Sequence, residues 1–185
     1  MNPNCSGNQW GTARRAIWFL VVAGMLWNHT TALAAGVDLT LGDKVSARGC
    51  SATVPVTMSG GGDTVGGVQL DVLLPQNVFT FASCTLTTGL PGEMDASLVS
   101  DPTTPPGMQR LRIVVVNMNH SVYADGTLGT CAFSIPSSAA LGTYQLQIDG
   151  TNDVPDVSDV QGNDLPWGVW TNSTVTVNAF GGCCP

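Results

Sequence analysis

Few residues in this chain could do covalent chemistry, and they stand apart from one another. His120 lies in Asn117-Met118-Asn119-His120-Ser121, at the end of an apolar run. A Ser-His-Asp nucleophile would have to use it, yet no Gly-x-Ser-x-Gly elbow presents a serine. Glu93 is the only glutamate and sits beside the Pro91-Gly92 turn. Glycoside hydrolysis needs two carboxyls about 5–9.5 Å apart with different proton affinities. One turn glutamate among aspartates that tighten loops does not supply them. No catalytic residue is assigned, and the chain is expected not to be an enzyme.

Two other clusters suggest binding. Asp149, Asp153, Asp156, Asp159 and Asp164 crowd sixteen residues together with Asn152 and Asn163. Hard oxygens at that density could hold Ca²⁺, with Asp153, Asp156 and Asp159 as first candidates. The spacing is not an EF-hand, so a long solvated acidic loop is the reading taken, with no metal or cofactor assigned. Trp167 and Trp170 are the aromatic candidates for a sugar platform, with Tyr123 and Tyr144 the only tyrosines. Such platforms need exposed coplanar rings beside polar groups. A spacing of three puts the two indoles on opposite faces of an extended strand. Carbohydrate binding is therefore an alternative rather than the first reading, and a structural surface domain is another.

Cysteine usage indicates the compartment. Beyond the N-terminus stand Cys50, Cys84, Cys131, Cys183 and Cys184, with no Cys-x-x-Cys spacing for a metal. Disulfides in an oxidising environment are expected. Cys84 and Cys131 fall in two apolar strand-like runs and are expected to bridge, the alternative being two separate buried thiols. Cys50 would reach Cys183 or Cys184 if the first and last strands are neighbours. The odd count leaves one cysteine without an internal partner, and the chain is expected to continue past Pro185.

The N-terminus agrees. Arg14-Arg15 precede the apolar run Ala16 to Trp27, then a polar stretch and Ala32-Leu33-Ala34-Ala35. That order is a secretory signal peptide, and the run is shorter than the about 20 residues that span a membrane. Residues 1–35 are therefore expected to be cleaved, leaving no membrane-spanning segment. What remains carries four basic side chains against thirteen acidic ones, a net charge of −9. Nucleic-acid binding, which needs clustered Lys and Arg, is excluded.

The elements that must position these residues are strands. Nine runs rich in Val, Leu, Ile, Thr and Phe recur between Gly, Pro, Asn and Asp breakers. They are Val37–Leu41, Ala52–Met58, Gly67–Leu74, Phe79–Leu86, Ala96–Ser100, Arg110–Met118, Gly126–Ile135, Thr143–Ile148 and Val169–Val177. An all-β, antiparallel sandwich is expected over residues 36–178, with 179–185 opening a linker or a truncated segment. In the third run Val68, Leu70, Val72 and Leu74 share one face, opposite Gln69, Asp71 and Leu73. The sixth run starts as Arg110-Leu111-Arg112, half-exposed, and becomes wholly apolar, as expected where both faces are covered.

The order of local motifs resembles the cohesin domain family. The motifs are Val54-Pro55-Val56-Thr57, Gly66-Gly67-Val68-Gln69-Leu70, Pro75-Gln76-Asn77-Val78-Phe79 and Arg112-Ile113-Val114-Val115. They continue as Asp125-Gly126-Thr127-Leu128 with Phe133, Gly142-Thr143-Tyr144, and Ser158-Asp159 through Gly162-Asn163 to Pro166. The resemblance implies a nine-stranded jelly-roll sandwich on a secreted bacterial protein, with one sheet face docking the helices of a dockerin. It also makes Cys183-Cys184-Pro185 look like the junction before a dockerin-like segment, and puts the acidic loop at one end of the sandwich, away from the docking face. The family's polar docking positions fall on Gly67 and Gln69, where tightly docking members place Asn and Asp. The expected function is a non-catalytic extracellular module joining proteins involved in polysaccharide degradation. Gln69, Asp71, Arg110 and Arg112 are its outward polar candidates, and dockerin-bearing proteins, with polysaccharide as the rival ligand, its partners.

Overall fold

Alternation decides the architecture. The segment Ser51–Ser59 buries Ala52, Val54, Val56 and Met58 and turns the residues between them outward, which is the period of a strand with one face on a core. The computed structural model describes residues 36–60, 64–150 and 155–179. Among the described residues there are strands and no α-helix. In chain order they are β1 (Val37–Leu41), β2 (Lys44–Ala47), β3 (Ser51–Ser59), β4 (Val65–Pro75), β5 (Thr80–Leu86) and β6 (Glu93–Val99). There follow β7 (Met108–Val116), β8 (Gly126–Ser134), β9 (Gly142–Ile148), β10 (Asp156–Asp159), β11 (Trp167–Thr171) and β12 (Ser173–Asn178).

They build two sheets. The smaller runs β11-β1-β3-β8-β5 and the larger β2-β12-β9-β4-β7-β6, with β10 added beside β4. Between them lies one core. Leu39, Val54, Val56 and Met58 from the smaller sheet meet Leu70, Val72, Leu111, Ile113 and Val115 from the larger. Each such side chain contributes about 1.5–3 kcal/mol on burial, most of it offset by lost chain entropy. Phe79 packs edge-on against Phe133 and Tyr144, with centroids 6.3 and 5.9 Å away. The Tyr144 hydroxyl donates to the Ala140 carbonyl at 2.9 Å.

Nine expected strands become twelve because the chain changes sheets at two corners, a device of sandwich folds, and because β10 forms within the acidic segment. β1 continues through Gly42-Asp43 into β2 of the other sheet, and β11 passes through Asn172 into β12, which the hydrophobic pattern joins as one run. The corners are stitched together. The Ser173 hydroxyl donates to the Gly42 carbonyl at 2.7 Å, and the Thr174 amide to Asp43 Oδ1 at 2.6 Å. First and last strands are thus neighbours, and both pairings, β1 with β11 and β2 with β12, are parallel. They are exceptions to the expected antiparallel ladder, set by the chain turning both corners in the same direction.

Cys84 and Cys131 are bridged. They stand opposite one another in the β5–β8 ladder, with Cα atoms 4.0 Å apart. Closing a separation of 47 residues contributes about 4 kcal/mol in the chain-entropy account. Cys50 is also disulfide-bonded. The expected partners Cys183 and Cys184, like residues 1–35, lie outside the described residues.

Candidate functional site

Register builds the outer face of the larger sheet as a grid. Across β6, β7 and β4 the side chains pointing away from the core form four rows. They are Glu93-Val116-Gly67, Asp95-Val114-Gln69, Ser97-Arg112-Asp71 and Val99-Arg110-Leu73. β10 extends the first two rows with Ser158 and Asp156, and β9 extends the last with Gln147. The four expected polar residues Gln69, Asp71, Arg110 and Arg112 do share this face. They do not share an environment.

Asp71 and Arg110 are not outward-facing in the sense expected of them. Each is only 1 % exposed. Arg110 Nη1 lies 3.2 Å from Asp71 Oδ2 and 3.6 Å from Asp101 Oδ2, and its Nη2 lies 2.6 Å from Asp149 Oδ2. The hydroxyls of Thr103 and Thr104 accept two more of its hydrogen bonds, at 3.2 and 3.4 Å. Arg112 clamps Asp71 with both arms of its guanidinium at 2.8 Å and stays about a third exposed. The turn after β6 is closed by Asp101, whose carboxylate accepts from the Thr103 amide and hydroxyl. This turn and Asp149 lie over the end of the sheet, so a face that alternation marks as outward is sealed there.

The electrostatics are those of a structural ion cluster. Burial pushes the Asp71 carboxyl upward, but hydrogen bonds and charge from Arg112 and Arg110 outweigh it and hold the group below its usual range. Hydrogen bonds from Thr103, helped by the two arginines, lower Asp101 as well. An acid catalyst needs a carboxyl raised toward neutrality. Asp71 and Asp101 move the other way, as carboxylates paired with arginines and hydroxyls do.

At the opposite end, the expectation that the apolar stretch of β7 is fully covered on both sides fails. Val114 and Val116 are only half-buried on the outer face, while Leu111, Ile113 and Val115 are buried. Gly67, Val68, Gln69, Val114, Val116, Asp156 and Ser158 line a hollow of about 160 Å³. Glu93 and Asp95 stand exposed beside it.

The acidic segment is not one long solvated loop. Asp156 and Asp159 belong to β10, which pairs with β4 from Gln69 to Val65, so the segment borders the candidate face instead of lying away from it. Both Asp159 carboxylate oxygens serve its own turn, accepting from the Gln161 and Asn163 amides and the Asn163 side chain at 2.8 Å each. These bonds hold that carboxyl below its usual range. Asp149 belongs to the Arg110 cluster, and Asp153 lies outside the described residues. No group of three or more acidic, His or Cys side chains among the described residues could hold a metal ion.

The two indoles are not on opposite faces. Val37 pairs with Trp167 and Leu39 with Trp170, so three residue intervals of β11 oppose two of β1. This bulge brings both rings to one side. Their centroids are 4.5 Å apart with planes 41° apart, Trp167 half-exposed and Trp170 packed over Gly150. The rings touch but form no flat platform. Tyr123 is fully buried and unavailable to one. His120 Nδ1 lies 3.0 Å from the Val160 carbonyl and ties the loop after β7 to the turn after β10.

Known proteins add the following. No family model and no curated protein matches the sequence. Solved structures do match the fold. CaCohA2 from Clostridium acetobutylicum superposes with a TM-score of 0.62 at 23 % identity, covering 78 % of this chain and 92 % of its own. The sixth cohesin of scaffoldin B from Acetivibrio cellulolyticus, solved in complex with a Cel5 dockerin mutant, gives 0.59 at 20 %, covering 78 % and 100 %. A non-cellulosomal cohesin from the archaeon Archaeoglobus fulgidus gives 0.55 at 17 %, covering 78 % and 93 %. The chain therefore has a cohesin-like jelly-roll fold.

Proposed function

We propose that this chain is a non-catalytic docking module, and that its partner, a dockerin-type protein, seats on the outer face of β6, β7, β4 and β10. The observation that carries this reading is the less covered end of that face: half-buried valines and a hollow ringed by carboxylates, on a fold shared with a cohesin solved holding a dockerin. A binding patch typically has such an apolar centre and polar rim. The module works outside a bacterial cell, a reading supported by the Cys84–Cys131 bridge and the signal-like N-terminus. Residues 36–178 are the binding domain.

The test is capture on the immobilised protein. Secreted proteins and soluble polysaccharides are passed over it in Ca²⁺ buffer, then eluted with a chelator and identified. Dockerin-bearing proteins are expected in the eluate, and a column carrying Val116→Lys is expected to lose them. Recovery of glycan without protein would sink the docking role and direct attention to Trp167 and Trp170.

A further inference from the structure

Gly66 and Gly67 are adjacent glycines with different reasons to be there. A Cβ on Gly66 would stand 2.6 Å from the Val160 Cα, so close backbone packing demands that glycine. A Cβ on Gly67 would meet only the Ser158 hydroxyl at 3.0 Å and the Val115 carbonyl at 3.6 Å. Its φ is not in the left-handed region either. Backbone conformation does not require a glycine at 67, and the one tight contact is with the end of the Ser158 side chain, which can rotate away; what the missing side chain leaves is the hollow.

We propose, resting on the docking reading above, that this hollow is a specificity pocket taking one branched apolar side chain, Leu or Ile in size, from a basic helix of the partner. Its volume of about 160 Å³ is an order of magnitude above the ~10–15 Å³ that one water needs. Val114 and Val116 form its apolar wall, and the part of each side chain still in water loses it only when something is seated there. Around it stand the carboxylates of Glu93, Asp95 and Asp156, none of which is in an ion pair among the described residues. The nearest cation on the face, Arg112, is already clamped on Asp71. A partner with Lys or Arg one helical turn on either side of its apolar knob complements both features. Discrimination comes from filling the hole: a partner built for a bulky residue at position 67 leaves a void here.

The experiment selects displayed amphipathic helices, with the central and flanking positions randomised, against the protein and compares binding to Gly67→Leu and Gly67→Ala. The expected winners carry Leu or Ile at the centre with Lys or Arg flanking it. Gly67→Leu should weaken them about tenfold or more at an unchanged melting temperature, and Gly67→Ala less. Val116→Lys, which blocks the pocket from β7, should do the same and serves if the leucine variant does not fold. Winners whose affinity neither variant changes, or whose flanks are acidic, would overturn the pocket while leaving docking intact. Enrichment of no helix at all would overturn the docking reading and the pocket with it.

Discussion

The two ends of one sheet face invert the usual reading of polarity. β4 and β7 run the length of the larger sheet in unbroken register, so Arg110 and Val116 project from the same face of the same strand. The charged end is sealed: Arg110 and Asp71 are 1 % exposed and Leu73 beside them is 7 % exposed. The apolar end is less covered, with Val114 and Val116 half-buried beside a hollow. Burying an ion is costly unless it is paired and fully hydrogen-bonded. Arg110 meets that condition with three aspartates and two threonines drawn from β4, the turn after β6 and the loop after β9. The valines at the other end stay partly accessible. Polar residues here anchor the structure, and apolar ones offer the surface.

The comparison breaks most visibly at Arg110. Arg110→Met leaves buried carboxylates facing one another and should cost about 3–5 kcal/mol at neutral pH, read as a drop in the urea midpoint. A surface arginine would cost almost nothing. A matched pair of truncations sharpens the contrast. Leu73→Ala, under the sealed end, should lose about 2–3 kcal/mol, while Val116→Ala, at the less covered end, should lose about 1 kcal/mol or less. Equal losses from the two would mean that the ends are not differently covered.

Gly92 tests the anchoring of the less covered end. It has φ +97°, and a Cβ there would run into the Val116 carbonyl. Gly92→Ala should cost about 1–3 kcal/mol and disturb β6 beside the pocket, seen as faster amide exchange at Met94 and Val115. The smallest effect is in pH. Asp71 and Asp101 titrate below their usual value when folded. Their pairing therefore contributes in full above about pH 4, the unfolded value, and is lost as pH falls through the lower folded values. Thermal stability should decline below that pH in the wild type, and the deficit of Arg110→Met should narrow there.

Much of the sandwich was legible in the hydrophobic alternation. The third and sixth runs overlap β4 and β7, and the Val37–Leu41 run matches β1 to the residue. The alternation did not announce where the chain changes sheets. Thr171 to Val175 reads as one continuous run, and only the partners on each side divide it at Asn172. β10 was hidden because Asp156 to Asp159 looks like loop composition, and its pairing with β4 depends on a neighbour rather than on propensity. One signal for the sealed end was available: Leu73 on a nominally outward position, which makes sense only under a cover.

Local composition and period thus determined the fold class, the inward and outward sets of each strand, the acidic character and the Cys84–Cys131 candidates, because each depends on side chains within one strand or on total charge. Which outward residues actually meet solvent was decided by tertiary structure alone. That depends on loops, the turn at Asp101 to Thr104 and the approach of Asp149, which fold back over the sheet from residues distant in sequence. The bulge that unites Trp167 with Trp170 has the same origin, since it is a mismatch of count between two strands and belongs to neither sequence by itself.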